Sequence, residues 1–184
     1  MINKNIDNEF QIEIVEKYIT GKMSQKLAPI ISENHKNCGG FLSDFMLVYK
    51  NCSHLVCAYI DEQLVGFVGL DTDCHIKKSG KDHDLHIMQI GVKKSAQGQG
   101  VASELLKYVE NHSLGFNYIS SDVNKYNLPS RCLFEHHNYK GIDSKNHPDT
   151  IIYIKKVKEM EKRPFHINQN HELKQTCKSN TFRG

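Results

Sequence analysis

The sequence predicts an α/β domain built on a mixed sheet. Three features carry that expectation. Residues 54–60 and 64–70 are apolar runs of strand length on either side of Asp61-Glu62-Gln63, the pattern of a hairpin. Residues 85–92 form a third apolar strand, followed by a glycine turn and an amphipathic helix. Beyond that helix, strand and helix patterns alternate as far as residue 157. A chain of 184 residues suits one domain plus an extension better than two cores.

Each element has its own warrant. In residues 8–19, Phe10, Ile14, Val15 and Tyr18 fall at helical spacing, with Asp7 as N-cap and Gly21 as stop, so a helix is expected. A short second helix is expected over 26–34 and a third over 41–49, separated by Gly39-Gly40. The hairpin follows, then a polar loop over 71–83 and the strand 85–92. Val101, Leu105, Tyr108 and Val109 share one face of the next helix, with Leu106 beside them, and Gly115 ends it. Residues 117–123 read as a strand. Residues 127–137 read as a short helix with Pro129 in its first turn, and 151–157 as the last strand.

Charge divides the chain. Residues 1–154 carry 16 basic and 18 acidic side chains, whereas 155–184 carry 8 and 3. The expected domain is therefore 1–157, with 158–184 a basic, polar extension. That extension reads first as a solvated tail, with a contact to a partner, to RNA or to a second copy in a homodimer as the alternative. The overall balance of +3 argues against a dedicated nucleic-acid binder. No apolar stretch approaches the roughly 20 residues of a membrane span, and the N-terminus lacks a signal-peptide core. A cytoplasmic location with six reduced cysteines is the expectation.

The sharpest local feature is Gln97-Gly98-Gln99-Gly100-Val101-Ala102 between a strand and a helix. The first N–H groups of a helix have no internal partner, and the dipole adds partial positive charge there. Glycines let those amides approach a pyrophosphate without an intervening Cβ. A tight structural turn is the plain alternative. No Lys-Ser/Thr pair follows, which excludes the NTPase loop, and the pattern is too short for a dinucleotide fingerprint.

The stretch from Ile90 to Leu106 resembles motif A of the GNAT acetyltransferases. Its Arg/Gln-x-x-Gly-x-Gly/Ala pattern is met by Gln97, Gly100 and Ala102. Residues 122–139 resemble motif B, with Asn127 and Phe134 at its seven-residue spacing and Asn138-Tyr139 in place of Gly-Phe. The resemblance implies the GNAT fold, with a mixed sheet splayed between the motif A strand and the following strand and flanked by helices. It implies direct transfer of an acetyl group from acetyl-CoA to a primary amine of a small molecule or protein. Under it, the backbone of Ile90, Gly91 and Val92 pairs with pantetheine. Gln97, Gly98, Gln99, Gly100, Val101 and Ala102, with Ser103, hold the pyrophosphate. Asn127, Ser130 and Phe134 belong to the motif B side of the cofactor site. The Ile90 N–H polarises the thioester carbonyl.

Two departures touch the chemistry. Phe134 stands where the family often has a Tyr acid, and Met88 where it often has a Glu base. His86, two residues before Met88, lies on the same strand face and becomes the expected base, with Asp84 on that face nearer the strand start. Tyr139 and Tyr126 are the nearest substitutes for the acid. Plain packing or surface roles stand beside each of these readings. A CoA-binding module with little or no transfer activity is the alternative function. Cys74, His75, His83 and His86 fall close enough to raise a zinc site, but a polar loop explains them and no metal is expected. His136 and His137 read as surface residues, and Cys132 as a buried thiol rather than a nucleophile.

Overall fold

The hairpin is the simplest element to explain. Residues His54–Ile60 (β2) and Gln63–Asp71 (β3) pair antiparallel around Asp61 and Glu62. Both turn residues have positive φ, 49° and 61°, which matches the twist of a two-residue hairpin turn. The computed structural model describes residues 11–16, 21–38, 52–72 and 84–157. The expected helix over 41–49, most of the loop 71–83 and the extension 158–184 lie outside the described residues.

Seven strands form one sheet. Gln11–Glu16 is β1, Leu85–Val92 is β4, Tyr118–Asn124 is β5, Lys140–Asp143 is β6 and Thr150–Lys156 is β7. Their order is β1-β2-β3-β4-β5-β7-β6. The β4–β5 pair is parallel and the others are antiparallel. Helix α1 spans Gly21–Cys38, α2 spans Val101–Asn111 and α3 spans Leu128–His136.

Two elements correct the sequence expectation. Residues 11–16, expected to be helical, form β1 and pair with β2 over six rungs. Gln-Ile-Glu-Ile-Val-Glu also alternates with period two, and pairing with an apolar neighbour strand decides between the periods. The second correction is β6, four exposed residues of which only Ile142 favours a strand, held by pairing with β7. The helix expected over 26–34 is also longer than read, beginning at Gly21 and ending at Cys38.

Each face of the sheet has its own apolar cluster. On one face, Leu27, Ile30 and Ile31 of α1 pack on Leu55, Cys57, Leu64 and Phe67, with Met88 at the margin. On the other, Val101, Leu105, Leu106 and Val109 of α2 pack on Val56, Val68, Leu85, Ile87 and Ile119, and Phe134 brings in α3. Burying each such side chain is worth about 1.5–3 kcal/mol, so these two faces hold the strands that shape the site.

Candidate active site

The site begins where β4 and β5 part. They pair over only three rungs, Leu85 with Ile119, His86 with Ser120 and Ile87 with Ser121. Beyond these, β4 continues beside β3 as far as Val92, and β5 continues beside β7 as far as Asn124. A wedge therefore opens between residues 88–92 and 122–124. The register between β3 and β4 shifts at Met88, which stands opposite no residue of β3. A bulge of this kind bends the strand, here at the apex of the wedge.

Hydroxyl groups pin that apex. Ser121 Oγ donates to the Ile87 carbonyl at 3.0 Å. His86 Nδ1 lies 3.1 Å from Ser120 Oγ, and Ser120 is fully buried. Asp84 is also fully buried at the start of the strand, while His86 is half-buried. The structure thus gathers Asp84 and His86 at the closed end of the wedge.

Backbone groups line the β4 wall. The Lys93 N–H donates to the Val65 carbonyl at 2.7 Å, so residue 93 faces β3. Strand groups alternate, and Ile90 and Val92 therefore turn their N–H and C=O toward the wedge. The Val92 carbonyl accepts from Asn34 Nδ2 at 2.9 Å and Gln97 Nε2 at 3.1 Å. Glu33 Oε2 accepts from the Lys94 N–H at 2.8 Å, so α1 fixes the end of β4 from one side. Gly91 has no room for a side chain, since a Cβ there would sit 2.5 Å from the Phe67 ring.

At the open end stands the glycine turn. Lys94–Ala96 forms a short 3₁₀ turn, and residues 97–100 are exposed. Gly98 and Gly100 have φ of 76° and 85°, a left-handed conformation that other residues adopt at a cost. Gly100 caps α2 without a side chain, and the first i to i−4 bond of the helix runs from Glu104 N to Gly100 O. Nothing lies within 4 Å of a Cβ built at either glycine, so the turn offers open space with amides at a helix N-terminus. These features fit a pyrophosphate: exposed amides, partial positive charge and no obstructing side chain.

The motif B side is organised differently. Asn127 caps α3, its Oδ1 accepting from the Ser130 N–H at 3.2 Å. Phe134 is 2% exposed, stacked on Tyr153 and edge-on to Tyr139. The structure places it in the core rather than on the wedge. Tyr139 is buried too. Burial, and then the Glu110 carboxylate, hold its hydroxyl far above the ordinary phenol range, which makes it a poor acid for a thiolate. Tyr126 is exposed on the turn after β5.

Two further sequence expectations change here. Cys132 is exposed on α3, not buried. His137 is buried, not at the surface, because it meets Ser103 and Glu110 from α2. Its partners lie 34 and 27 residues away, so no local signal in the sequence marks it. Cys74, His75 and His83 lie outside the described residues. Among the described residues, no helix is long and apolar enough to cross a membrane.

Comparison with known proteins agrees with this geometry. The family model described as the acetyltransferase (GNAT) family matches residues 23–139. An uncharacterized N-acetyltransferase of Methanocaldococcus jannaschii is 30% identical over 122 residues, covering 61% of this chain and 70% of that protein. A Pyrococcus horikoshii OT3 crystal structure aligns with a TM-score of 0.64 at 21% identity, covering 80% of this chain and 99% of that one. The PaiA N-acetyltransferase of Thermoplasma acidophilum, solved in complex with coenzyme A, aligns with a TM-score of 0.60 at 14% identity, covering 80% and 99%. The ribosomal-protein-S18-alanine N-acetyltransferase of Escherichia coli aligns with a TM-score of 0.58 at 11% identity, covering 84% and 99%. A mixed sheet that splits beside a glycine turn, together with a family match across most of the described chain, leads to one conclusion: this protein belongs to the GNAT acetyltransferase family.

Proposed function

We propose that the protein is an N-acetyltransferase that moves an acetyl group from acetyl-CoA directly to a primary amine of a small molecule or protein, through a ternary complex. The observation that carries this reading is the wedge between β4 and β5 with the exposed glycine turn at its mouth. Acetyl-CoA supplies the activated acyl group. Amides from Gln97 to Ala102, with Ser103, would hold its pyrophosphate. Ile90 and Val92 would line its pantetheine arm through backbone groups, while Gly91 between them has its own backbone groups turned to β3, with Asn127 and Ser130 across the wedge. The Ile90 N–H, turned toward the wedge, would donate to the thioester oxygen.

His86 is the proposed base, at the closed end beside Ser120. It would take the proton that the amine loses as its nitrogen bonds the acyl carbon and the carbon–sulfur bond breaks. Asp84 lies buried two residues earlier, at the start of the same strand. Tyr139 is left without a part in this scheme by its buried position. With an unperturbed thiol pKa of about 8.5, the thiolate can depart without a dedicated acid. Most of the rate would then come from holding the amine at the thioester.

A second reading has an observation of its own. Met88 packs into the α1-side cluster and Phe134 lies in the core, so the two positions where the family often has Glu and Tyr supply no titrating group. A CoA-binding module with little transfer activity would look the same there. Thiol release from acetyl-CoA, followed against a panel of polyamines, amino acids, aminoglycosides and peptide amines, separates the two. Turnover with any amine supports the enzyme. Thermal stabilisation by CoA without turnover on the whole panel supports the module.

A further inference from the structure

His137 sits where helix α2 meets the end of α3. Its Nε2 lies 2.6 Å from Ser103 Oγ and its Nδ1 lies 3.3 Å from Glu110 Oε1. The other Glu110 oxygen accepts from Lys155 Nζ at 2.8 Å, and the same ammonium donates to the His137 carbonyl at 2.8 Å. An ionised carboxylate only accepts, so the ring carries its proton on Nδ1, facing Glu110. In the neutral ring Nε2 is then a bare acceptor, and the Ser103 hydroxyl commits its proton to it.

Ser103 stands in the first turn of α2, directly after the glycine turn. One hydroxyl proton cannot serve His137 and an anion on that turn together. We propose that His137 is a positioning residue that couples CoA binding to proton uptake: as Ser103 turns its proton to a CoA phosphate, His137 gains a proton on Nε2 and donates it to Ser103 Oγ. The proton comes from solvent, and an N–H bond is the one covalent bond formed. This inference rests on the reading that residues 97–103 hold the CoA pyrophosphate.

The surroundings of His137 fit such a switch. Burial holds its pKa below the ordinary histidine value, Glu110 pulls it back up, and Lys155 and His136 push it down again. The ring is therefore neutral near pH 7.5 before a ligand arrives. The His136 ring lies 6.0 Å away, and Tyr139, beside Glu110, keeps its proton throughout.

Calorimetric titration of CoA into the full chain, near pH 7.5 in buffers of different ionisation enthalpy, reads the coupling. The expected result is uptake approaching one proton per CoA beyond that of CoA's own phosphate, with affinity rising up to about tenfold per unit fall in pH. Ser103→Ala and His137→Gln should each remove this uptake. Glu110→Gln should keep CoA binding but lose the uptake, because a Gln amide can donate to Nδ1 and leave the neutral ring its proton on Nε2. A purely structural network predicts no such separation. Equal uptake in the wild type and in Ser103→Ala would overturn the coupling and leave the acetyltransferase reading standing. Absence of CoA binding to the wild-type chain would overturn that reading first.

Discussion

The two ends of the wedge are built from different material. At the mouth, the groups that would meet a ligand are backbone amides on a glycine turn, with side chains of Asn34, Glu33 and Gln97 holding the strand end in place. At the apex, the candidate group is a side chain, half-buried His86, held among the buried side chains of Ser120, Ser121 and Asp84. A backbone site depends on conformation and tolerates change in neighbouring side chains. A side-chain site depends on particular residues.

That contrast can be broken from either end. The largest effect is expected at Gly91, on the wall joining the two. Gly91→Val would drive its side chain into Phe67 and Ile30 and cost about 3 kcal/mol of stability, measured by urea denaturation. Unchanged stability would mean that the β3–β4 packing is looser than described. Next is His86→Ala, expected to slow acetylation about 10²-fold at saturating acetyl-CoA while leaving the CoA dissociation constant alone. An unaltered rate and pH profile would remove His86 as the base.

Smaller effects sharpen the comparison. Gly100→Ala meets no neighbour but must adopt a left-handed φ, at a cost of about 1–2 kcal/mol. It should weaken CoA binding without altering the pH profile of turnover, the reverse of His86→Ala. Ser121→Ala leaves the Ile87 carbonyl without its hydroxyl donor, for about 1 kcal/mol, and should speed amide exchange at the apex more than at the mouth. The smallest effect concerns acid. Because the folded pKa of His137 is lowered, the unfolded chain takes up that proton first as pH falls. The contribution of His137 to stability is complete above about pH 6.5 and is lost below it, down to the folded pKa. Urea midpoints at several acidic pH values, compared between wild type and His137→Gln, should show the difference narrowing as pH falls.

How much could be read in advance follows the same division. The glycine turn was legible because only backbone with positive φ needs glycine at 98 and 100. The amphipathic face of α2 and the hairpin were legible because their periods are local. β1 was not, since Gln-Ile-Glu-Ile-Val-Glu is compatible with two periods and the neighbouring strand chose one. Nor was β6, whose four exposed residues carry no apolar pattern. Phe134 was placed at the cofactor by analogy, but stacking on Tyr153 draws it into the core.

By itself, the amino-acid sequence determined the order of most elements, the turn that precedes α2 and the two motifs that mark the family. These depend on spacing within a dozen or so residues, where periodicity and glycine conformation dominate. Tertiary structure alone decided the bulge at Met88, the three-rung limit on β4–β5 pairing, and the burial of His137 among Ser103, Glu110 and Lys155. Each of these joins residues far apart in the chain, and such contacts form only after the sheet has brought distant segments together.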